Sequence, residues 1–497
     1  MANIVGIDLG TTYSAIATIN KVGEPIIVHN DLGLNITPSV VTVEDDGVVS
    51  VGESARKSLG LDPNTVGRFK RVMGTDKTYE IQGEIYSPTD LSAFVIKKLI
   101  KDAESEIGEI TNGVVTIPAN YSNEAREATM QAAKSAGLNV DYIINEPTAA
   151  ALYYAYKGGE DLNGKYAVYD LGGGTFDISI IAVKGQDIEV LSTSGVQKLG
   201  GDDFDNELIN YVQSQYKELT GEKLDDIDFT SAKAEDEKKS LSKRKKVKTR
   251  IARKNIEINQ SDFNESISKY IAQAEMACEA CINEADVTLD DIKNVFIVGG
   301  STRMPIIKES VERIFQKKPV VAANVDEVVA LGAAIYAAYK GDRSLLTPLQ
   351  KSAIEKVSIS EITSKYFGTI AVRDHGTAGQ LKEYNSIIIN KGEKIPCERS
   401  NNYFTVSEGQ TIIDCTVTES DQDEEDVAFV NKVWTGELEL PPGRPAGQEV
   451  TISYSYNDNQ IMHCSFLDIS SGKKKTKDLS QKTTKKTSKG IDKFIIE

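Results

Sequence analysis

Apolar residues follow two different periods along this chain, and the change of period divides it. Over residues 1–345 short apolar runs alternate with stretches of helical spacing. Ile4-Val5, Val114-Val115-Thr116-Ile117, Ala167-Val168 and Val295-Phe296-Ile297-Val298 are too short for helices and predict buried strands. Pro118 stops the second of these; Ser122 then caps a helix with Glu124 in its first turn, ending near Gly137. Two alanine-rich helices are predicted at Pro147–Tyr156 and Asp326–Tyr339. Their small residues (Ala149, Ala150, Ala151; Gly332, Ala333, Ala334) allow close helix contact, either as a hinge between two lobes or as ordinary core packing. The alternation as a whole points to an α/β architecture. Past 360 the period becomes two: Thr411–Val417 and Glu449–Tyr454 alternate, separated by turn clusters such as Pro441-Pro442-Gly443. An antiparallel β domain is therefore expected over 361–470, joined to the first domain (1–345) by a linker at 346–360. The lysine-, serine- and threonine-rich stretch 471–497 is expected to be disordered.

At 497 residues the chain exceeds one hydrophobic core. Its net charge of −17 argues against nonspecific nucleic-acid binding by the whole molecule. Ten Lys and Arg between Lys238 and Lys254, with no acid and no interleaved aromatic, are better read as a solvated helix face and hairpin edge than as a nucleic-acid site. Five thinly spread cysteines suit a reducing cytosol rather than a disulfide framework. Cys278 and Cys281 sit inside an alanine-rich run, where two cysteines on one helix face is the better reading than a metal or redox pair. No apolar run is long enough to span a membrane and no secretory leader is visible, so a cytoplasmic protein without a membrane partner is expected.

The chemistry lies at two strand ends. Asp8 leads into Gly10-Thr11-Thr12, and Asp170 leads into Gly172-Gly173-Gly174-Thr175. Glycines let a backbone approach a ligand closely, and successive turn N–H groups can wrap phosphate oxygens. The aspartates can hold a hydrated metal ion beside those phosphates. Two such turns suggest two lobes closing on one nucleotide.

With a third turn, Val298-Gly299-Gly300-Ser301-Thr302-Arg303, the constellation resembles the actin, sugar-kinase and heat-shock-protein-70 ATPase superfamily. Gly6–Ser14, Ile144-Asn145-Glu146-Pro147-Thr148-Ala149-Ala150-Ala151, Asp170–Asp177 and Leu199-Gly200-Gly201-Asp202-Asp203-Phe204-Asp205 narrow the resemblance to the DnaK-like heat-shock protein 70 chaperones. That resemblance implies an actin-like two-lobed ATPase domain, a duplicated ribonuclease-H-like unit, followed by a β-sandwich that binds peptides. It implies ATP/ADP, Mg2+ and K+ as cofactors. Gly10, Thr11, Thr12 and Tyr13, with Gly172, Gly173 and Gly174, match the phosphate turns. Asp8, Asp170 and Glu146 match the acids around the water shell of Mg2+. Lys70 matches the lysine that positions the attacking water, and Thr175 and Asp177 lie near the reacting phosphate. Glu235, Lys238, Lys239 and Ser242, with Gly200, Gly201, Gly299, Gly300, Ser301, Arg303 and Asp326, match the nucleoside clamp. Pro118 and Arg126 match an interdomain switch. Tyr403, Val406, Ile413, Cys415 and Ile461 match the peptide cleft; ordinary sandwich core is the other reading of these five. Implied partners are unfolded or extended polypeptides, a J-domain co-chaperone and a nucleotide-exchange factor.

The chain departs from the family pattern in places. Lys239 stands where an arginine usually stacks on the base, and arginine stacks better. Val357-Ser358-Ile359-Ser360-Glu361 is less apolar than the family linker. The stretch from Ser242 to Asn264 is short, and no helical lid follows the sandwich. An ATP-sensing binding module with little turnover and a small-molecule kinase on the same fold stand as alternatives; a kinase leaves the β domain unexplained.

Overall fold

The computed structural model describes residues 3–44, 47–158, 162–321, 324–355, 357–374, 381–457, 460–479 and 491–497. Their contacts group into two compact units. One holds the described residues of 3–121, 128–359 and 491–497; the other holds 122–127 and those from Ser360 to Leu479.

The first unit is built on two sheets of one topology. In the first the order is Asn139–Asn145, Ile110–Ile117, Asn3–Asp8, Tyr13–Ile19, Pro25–Val28. In the second it is Val320–Val321, Ile292–Val298, Asn163–Leu171, Phe176–Lys184, Asp187–Val196. Each begins with three antiparallel strands and then adds parallel strands beside the first, through Asn3–Asp8 paired with Ile110–Ile117 and Asn163–Leu171 paired with Ile292–Val298. The runs that form the inner strands are apolar on both faces because both faces are covered: Val5, Ile7, Val115, Val168, Leu171, Ile297 and Val298 are fully buried. This is the duplicated α/β unit expected from the sequence.

After the parallel strands of each sheet comes an alanine-rich helix, Glu146–Gly158 in one and Val328–Lys340 in the other. The two helices pack on each other. The crossing is so close that a Cβ on Gly332 would lie 1.7 Å from the Ala149 carbonyl oxygen. Small residues here serve the helix contact itself.

The strand Lys246–Ile251 buries Val247, Thr249 and Ile251 and exposes Lys246, Lys248 and Arg250, which is the solvated hairpin edge expected of the basic run. Cys278 and Cys281 are free and lie on the buried face of the helix Ser268–Glu284.

The described residues of the expected linker, 346–360, carry local structure. Thr347 and Gln350 form a reciprocal cap for the helix Pro348–Ile354, and Ile354 and Val357 are buried. The Ser358 N–H donates to the Gln186 carbonyl, placing the strand Ser358–Ser360 at the edge of the second sheet.

The second unit contains two four-stranded antiparallel sheets. Their orders are Leu381–Ile389, Tyr366–Asp374, Ile412–Ser420, Asn431–Glu439 and Cys397–Phe404, Glu449–Tyr456, Met462–Asp468, Lys474–Asp478. Cys415, Val417, Tyr454, Cys464 and Phe466 form the core between them. The strand Lys474–Asp478 corrects the expectation of disorder from 471 onward. Its lysines at 474, 475 and 477 mark a charged edge strand, which resists pairing with other chains, and composition alone does not separate that from an unfolded tail. A second correction is the segment Ile491–Glu497, which is ordered and carries the strand Ile495–Ile496. Residues 480–490 of the same expectation lie outside the described residues.

Candidate functional site

Asp8 ends one strand and Asp170 lies near the end of its counterpart, so the sheet duplication brings two equivalent turns to one cleft. That cleft has a volume of about 820 Å³ and is lined by Asp8, Gly10, Thr11, Thr12, Tyr13, Lys70, Glu146, Asp170, Gly172, Gly173 and Thr175. The turns meet across it. A Cβ on Gly173 would fall 1.8 Å from Thr12 Oγ1, so only glycine permits this approach. Gly174 lies beside Thr11 in the same way, and Gly200 lies against Gly173.

Lys70 projects inward from a short 3-10 turn, Phe69–Val72, whose preceding residue Arg68 has a left-handed backbone (φ 62°). Such a conformation is costly for a side chain larger than glycine. Arg68 is held there by Asp202 at 2.8 Å and Asp205 at 3.4 Å, and Arg71 by Asp203 at 3.0 Å. These ion pairs tie the first lobe to the start of the helix Gly201–Thr220 in the second. Arg56 ties the first lobe to the helix Ser231–Leu241 through Glu235 at 3.0 Å. The sequence displays both the basic string around Lys70 and the acidic string around Asp202, but their pairing is set by the fold and is not read from either string alone.

At the cleft floor Lys70 Nζ donates to Glu146 Oε1 at 2.6 Å. Burial would lower the Lys70 pKa, but Glu146, Tyr121 and Asp8 outweigh it and hold the ammonium firmly protonated. The nearby acids are pushed the other way. Burial, reinforced by Glu146, raises Asp8 to about 7 and Asp177 to about 8, and the same causes raise Asp170 well above the carboxylate range. Asp170 and Asp177 face each other across one hairpin. Asp8 accepts from Thr116 Oγ1 at 3.0 Å. Asp177 Oδ1 and Thr12 Oγ1 are buried without a hydrogen-bond partner. Crowded acids and orphaned oxygens of this kind fit a site completed by a cation and a polyanionic ligand. Among the described residues no group of three or more His, Cys, Asp or Glu forms a direct metal cage, so these acids suit a hydrated ion.

The far end of the cleft gathers the remaining nucleoside-side residues. Lys238 Nζ donates to the Gly201 carbonyl and pairs with Asp205, both at 2.8 Å. Ser301 Oγ donates to the Gly172 carbonyl, and Ser242 Oγ to the Lys238 carbonyl. Arg303 pairs with Asp326 at 2.6 Å beside Gly299 and Gly300. Lys239 Nζ lies 4.8 Å from the centre of the Tyr13 ring, 3.0 Å from its hydroxyl and 2.6 Å from Glu235 Oε1. Sequence reasoning passed over Asn35, Ile36, Glu53, Met304 and Lys308, which also line the cleft from unremarkable strings.

Pro118 is buried just past the strand Ile110–Ile117, and Arg126 is buried in the helix Asn123–Ser135. The five expected peptide-cleft residues do not come together. Tyr403 and Ile413 are half-buried against the sandwich core, and Val406 is exposed nearby in the loop that joins their strands. Cys415 is sealed inside that core. Ile461 follows the strand Glu449–Tyr456, and the register pairs Tyr456 with Cys397 while Val450 pairs with Tyr403. Ile461 is thus at the opposite end of the sheet from Tyr403. Strand alternation shows which face a residue occupies but not which end of a sheet it reaches.

No helix among the described residues is long and apolar enough to cross a membrane. The family profile described as Hsp70 protein matches residues 4–81 and 76–497. The chaperone protein DnaK of Thermotoga neapolitana is 35% identical over 494 residues, covering 95% of this chain and 79% of the relative. DnaK from Thermotoga petrophila and Thermotoga maritima match with the same identity and coverage.

Proposed function

The chain belongs to the heat-shock protein 70 family, and on that premise we propose that it binds and hydrolyses ATP in the cleft between the Gly10–Tyr13 and Gly172–Gly174 turns. It is an ATP-dependent molecular chaperone and an ATPase, dependent on nucleotide and Mg2+, that acts on unfolded polypeptides. ATP turnover is assigned to residues 1–345 and peptide binding to 361–470.

The roles follow from the physics of phosphoryl transfer to water, in which charge builds on phosphate oxygens and is met by preorganised donors. Turn N–H groups of Thr11–Tyr13 and of Gly173 and Gly174 cradle the phosphates, the Gly10 and Gly172 N–H groups being given to Ser14 Oγ and the Thr175 carbonyl, and Thr11 and Thr12 add hydroxyls. Lys70, kept protonated by Glu146, stabilises the growing negative charge and orients the attacking water. Thr175 lines the cleft beside that water, and Asp177, buried behind it, can orient or polarise it. Asp8, Asp170 and Glu146 would hold a hydrated Mg2+, which would supply charge neutralisation at the phosphate oxygens. Thr11, Thr12 and Tyr13 of the first turn would hold K+ beside the phosphates. Lys239 and Arg303 close on the base, with Glu235, Lys238, Ser242, Ser301 and Asp326 around the ribose. Pro118 and Arg126 relay the nucleotide state. Tyr403, Val406 and Ile413 are the retained peptide-cleft residues, where an extended apolar segment adds its backbone and side chains. A J-domain co-chaperone and an exchange factor are the expected partners, and the cytoplasm the expected compartment.

What supports this reading most is the contact of the two turns, so close that a Cβ on Gly173 would fall 1.8 Å from Thr12 Oγ1, in the cleft that the Lys70–Glu146 pair also lines: two duplicated turns and one charged floor. Steady-state phosphate release, with and without an apolar heptapeptide, tests it. Phosphate without a phosphorylated metabolite, stimulated by peptide, is the expected result. Negligible turnover with unaltered nucleotide binding replaces it with an ATP sensor.

A further inference from the structure

The strand Val48–Val51 pairs on one side with Val40–Val43. On its other side lies a segment more than 440 positions away in sequence: Ile495 pairs with Val48 and Ile496 with Val49, in parallel. The backbone bonds are complete for so short a strand. Ile495 N–H donates to the Gly47 carbonyl, Glu497 N–H to Val49, and Val51 N–H to Glu497, the last two at 2.9 Å. Lys101 Nζ, from the helix Pro88–Ile107, donates to the Ile496 carbonyl at 2.6 Å.

Side chains add a second grip. The Phe494 ring stands edge-on to Phe94 at 5.2 Å and lies 6.3 Å from Tyr86, both of which are buried. Ile491 and Ile496 are 2% and 4% exposed, whereas Ile495 between the anchors is 63% exposed. The alternation is that of a strand with one face in a groove. An aromatic anchor, an aliphatic anchor, paired backbone and a lysine on the carbonyl are the parts of a β-augmentation site.

We propose that this sheet edge is a peptide-binding groove, separate from the sandwich cleft, and that its occupant is the chain's own segment Ile491–Glu497 acting as a latch. The sandwich strands end at Lys474–Asp478, and only residues 480–490, with four lysines and no apolar side chain, separate Leu479 from Ile491. A tether of that length spans at most ~40 Å. Releasing the latch bares Phe94, Tyr86 and the edge of Val48–Val51. The intramolecular tether keeps the segment at high effective concentration, so a short strand suffices.

Hydrogen exchange and peptide binding on the full chain test the latch. In a Phe494→Ala/Ile496→Asp variant the Val51 amide, whose acceptor is Glu497, should exchange at least tenfold faster than in wild type, with MgATP affinity unchanged. A fluorescein-labelled peptide of residues 489–497 should bind this variant and not the wild type, whose groove is filled. Ile495→Asp, at the outward position, should leave exchange as it is. Should the double variant fail to fold, Lys101→Ala decides, since it removes one carbonyl partner and should still speed Val51 exchange. Equal Val51 exchange in wild type and variants overturns the proposal, as does peptide binding to both or to neither. A concentration-dependent dimer lost in the double variant also overturns it, because the groove is then filled by a second copy.

Discussion

Gly332→Ala places the account's helix crossing under direct strain. The added Cβ would meet the Ala149 carbonyl oxygen at 1.7 Å and its carbon at 2.4 Å, both backbone atoms that no rotamer change can move aside. A relaxed carbon–oxygen contact is ~3.3 Å, so the helices Glu146–Gly158 and Val328–Lys340 must separate by about 1.6 Å. Alanine's better helix propensity gains ~1 kcal/mol. Overpacking costs ~1–3 kcal/mol in ordinary cores, and a contact this deep in the repulsive wall lies at or above the upper end. The steric term wins, and the melting temperature should fall by several degrees in calorimetry. Glu146 begins one of these helices, and Asp326 shortly precedes the other, so the shift also displaces the cleft's two walls. Misplacement by ~1 Å costs on the order of a hundredfold in rate. Single-turnover ATP hydrolysis should fall by about that factor. A melt within a degree of wild type and a rate within twofold would refute the crossing as drawn.

Further outcomes follow from the cleft's charges. Lys70→Ala should retain nucleotide in equilibrium binding yet lose turnover, and an unchanged single-turnover rate would count against its assignment. Asp8→Asn or Asp170→Asn should weaken Mg2+-dependent ATP binding by at least tenfold in calorimetry, and unaltered affinity would contradict the metal assignment. Burial alone would raise Glu235, but Lys239 and Arg56 outweigh it and hold the carboxyl at about 2, against its ordinary 4.5. Its contribution, roughly 3 kcal/mol, is therefore full above about pH 4.5 and lost as pH falls toward 2. Denaturant unfolding at pH 5 and pH 3 should show roughly half of this loss, about 2 kcal/mol, in wild type beyond that in Glu235→Gln; equal losses would remove the pair from the account.

Much of the nucleotide cleft was legible because its chemistry sits at strand ends. An apolar run, an aspartate and a glycine turn fix where a buried strand stops and what emerges there, and Asp8 and Asp170 carry that signal twice. Lys70 and Glu146 were each singled out, but their direct pairing was not, since partners 76 positions apart meet only through the fold. The clasp of Arg68 and Arg71 on Asp202, Asp203 and Asp205 was hidden for the same reason. Ile461 shows another limit: period two reports a face, whereas the position along a sheet depends on register. Lys474–Asp478 shows a third, because a charged edge strand and an unfolded tail share one composition.

A crystal structure with Mg2+ and a nonhydrolysable ATP analogue tests the central claim most directly. The analogue's phosphates should lie between the Gly10–Tyr13 and Gly172–Gly174 turns, with Lys70 facing the terminal phosphate. An empty cleft at saturating analogue, or phosphates bound elsewhere, would contradict it.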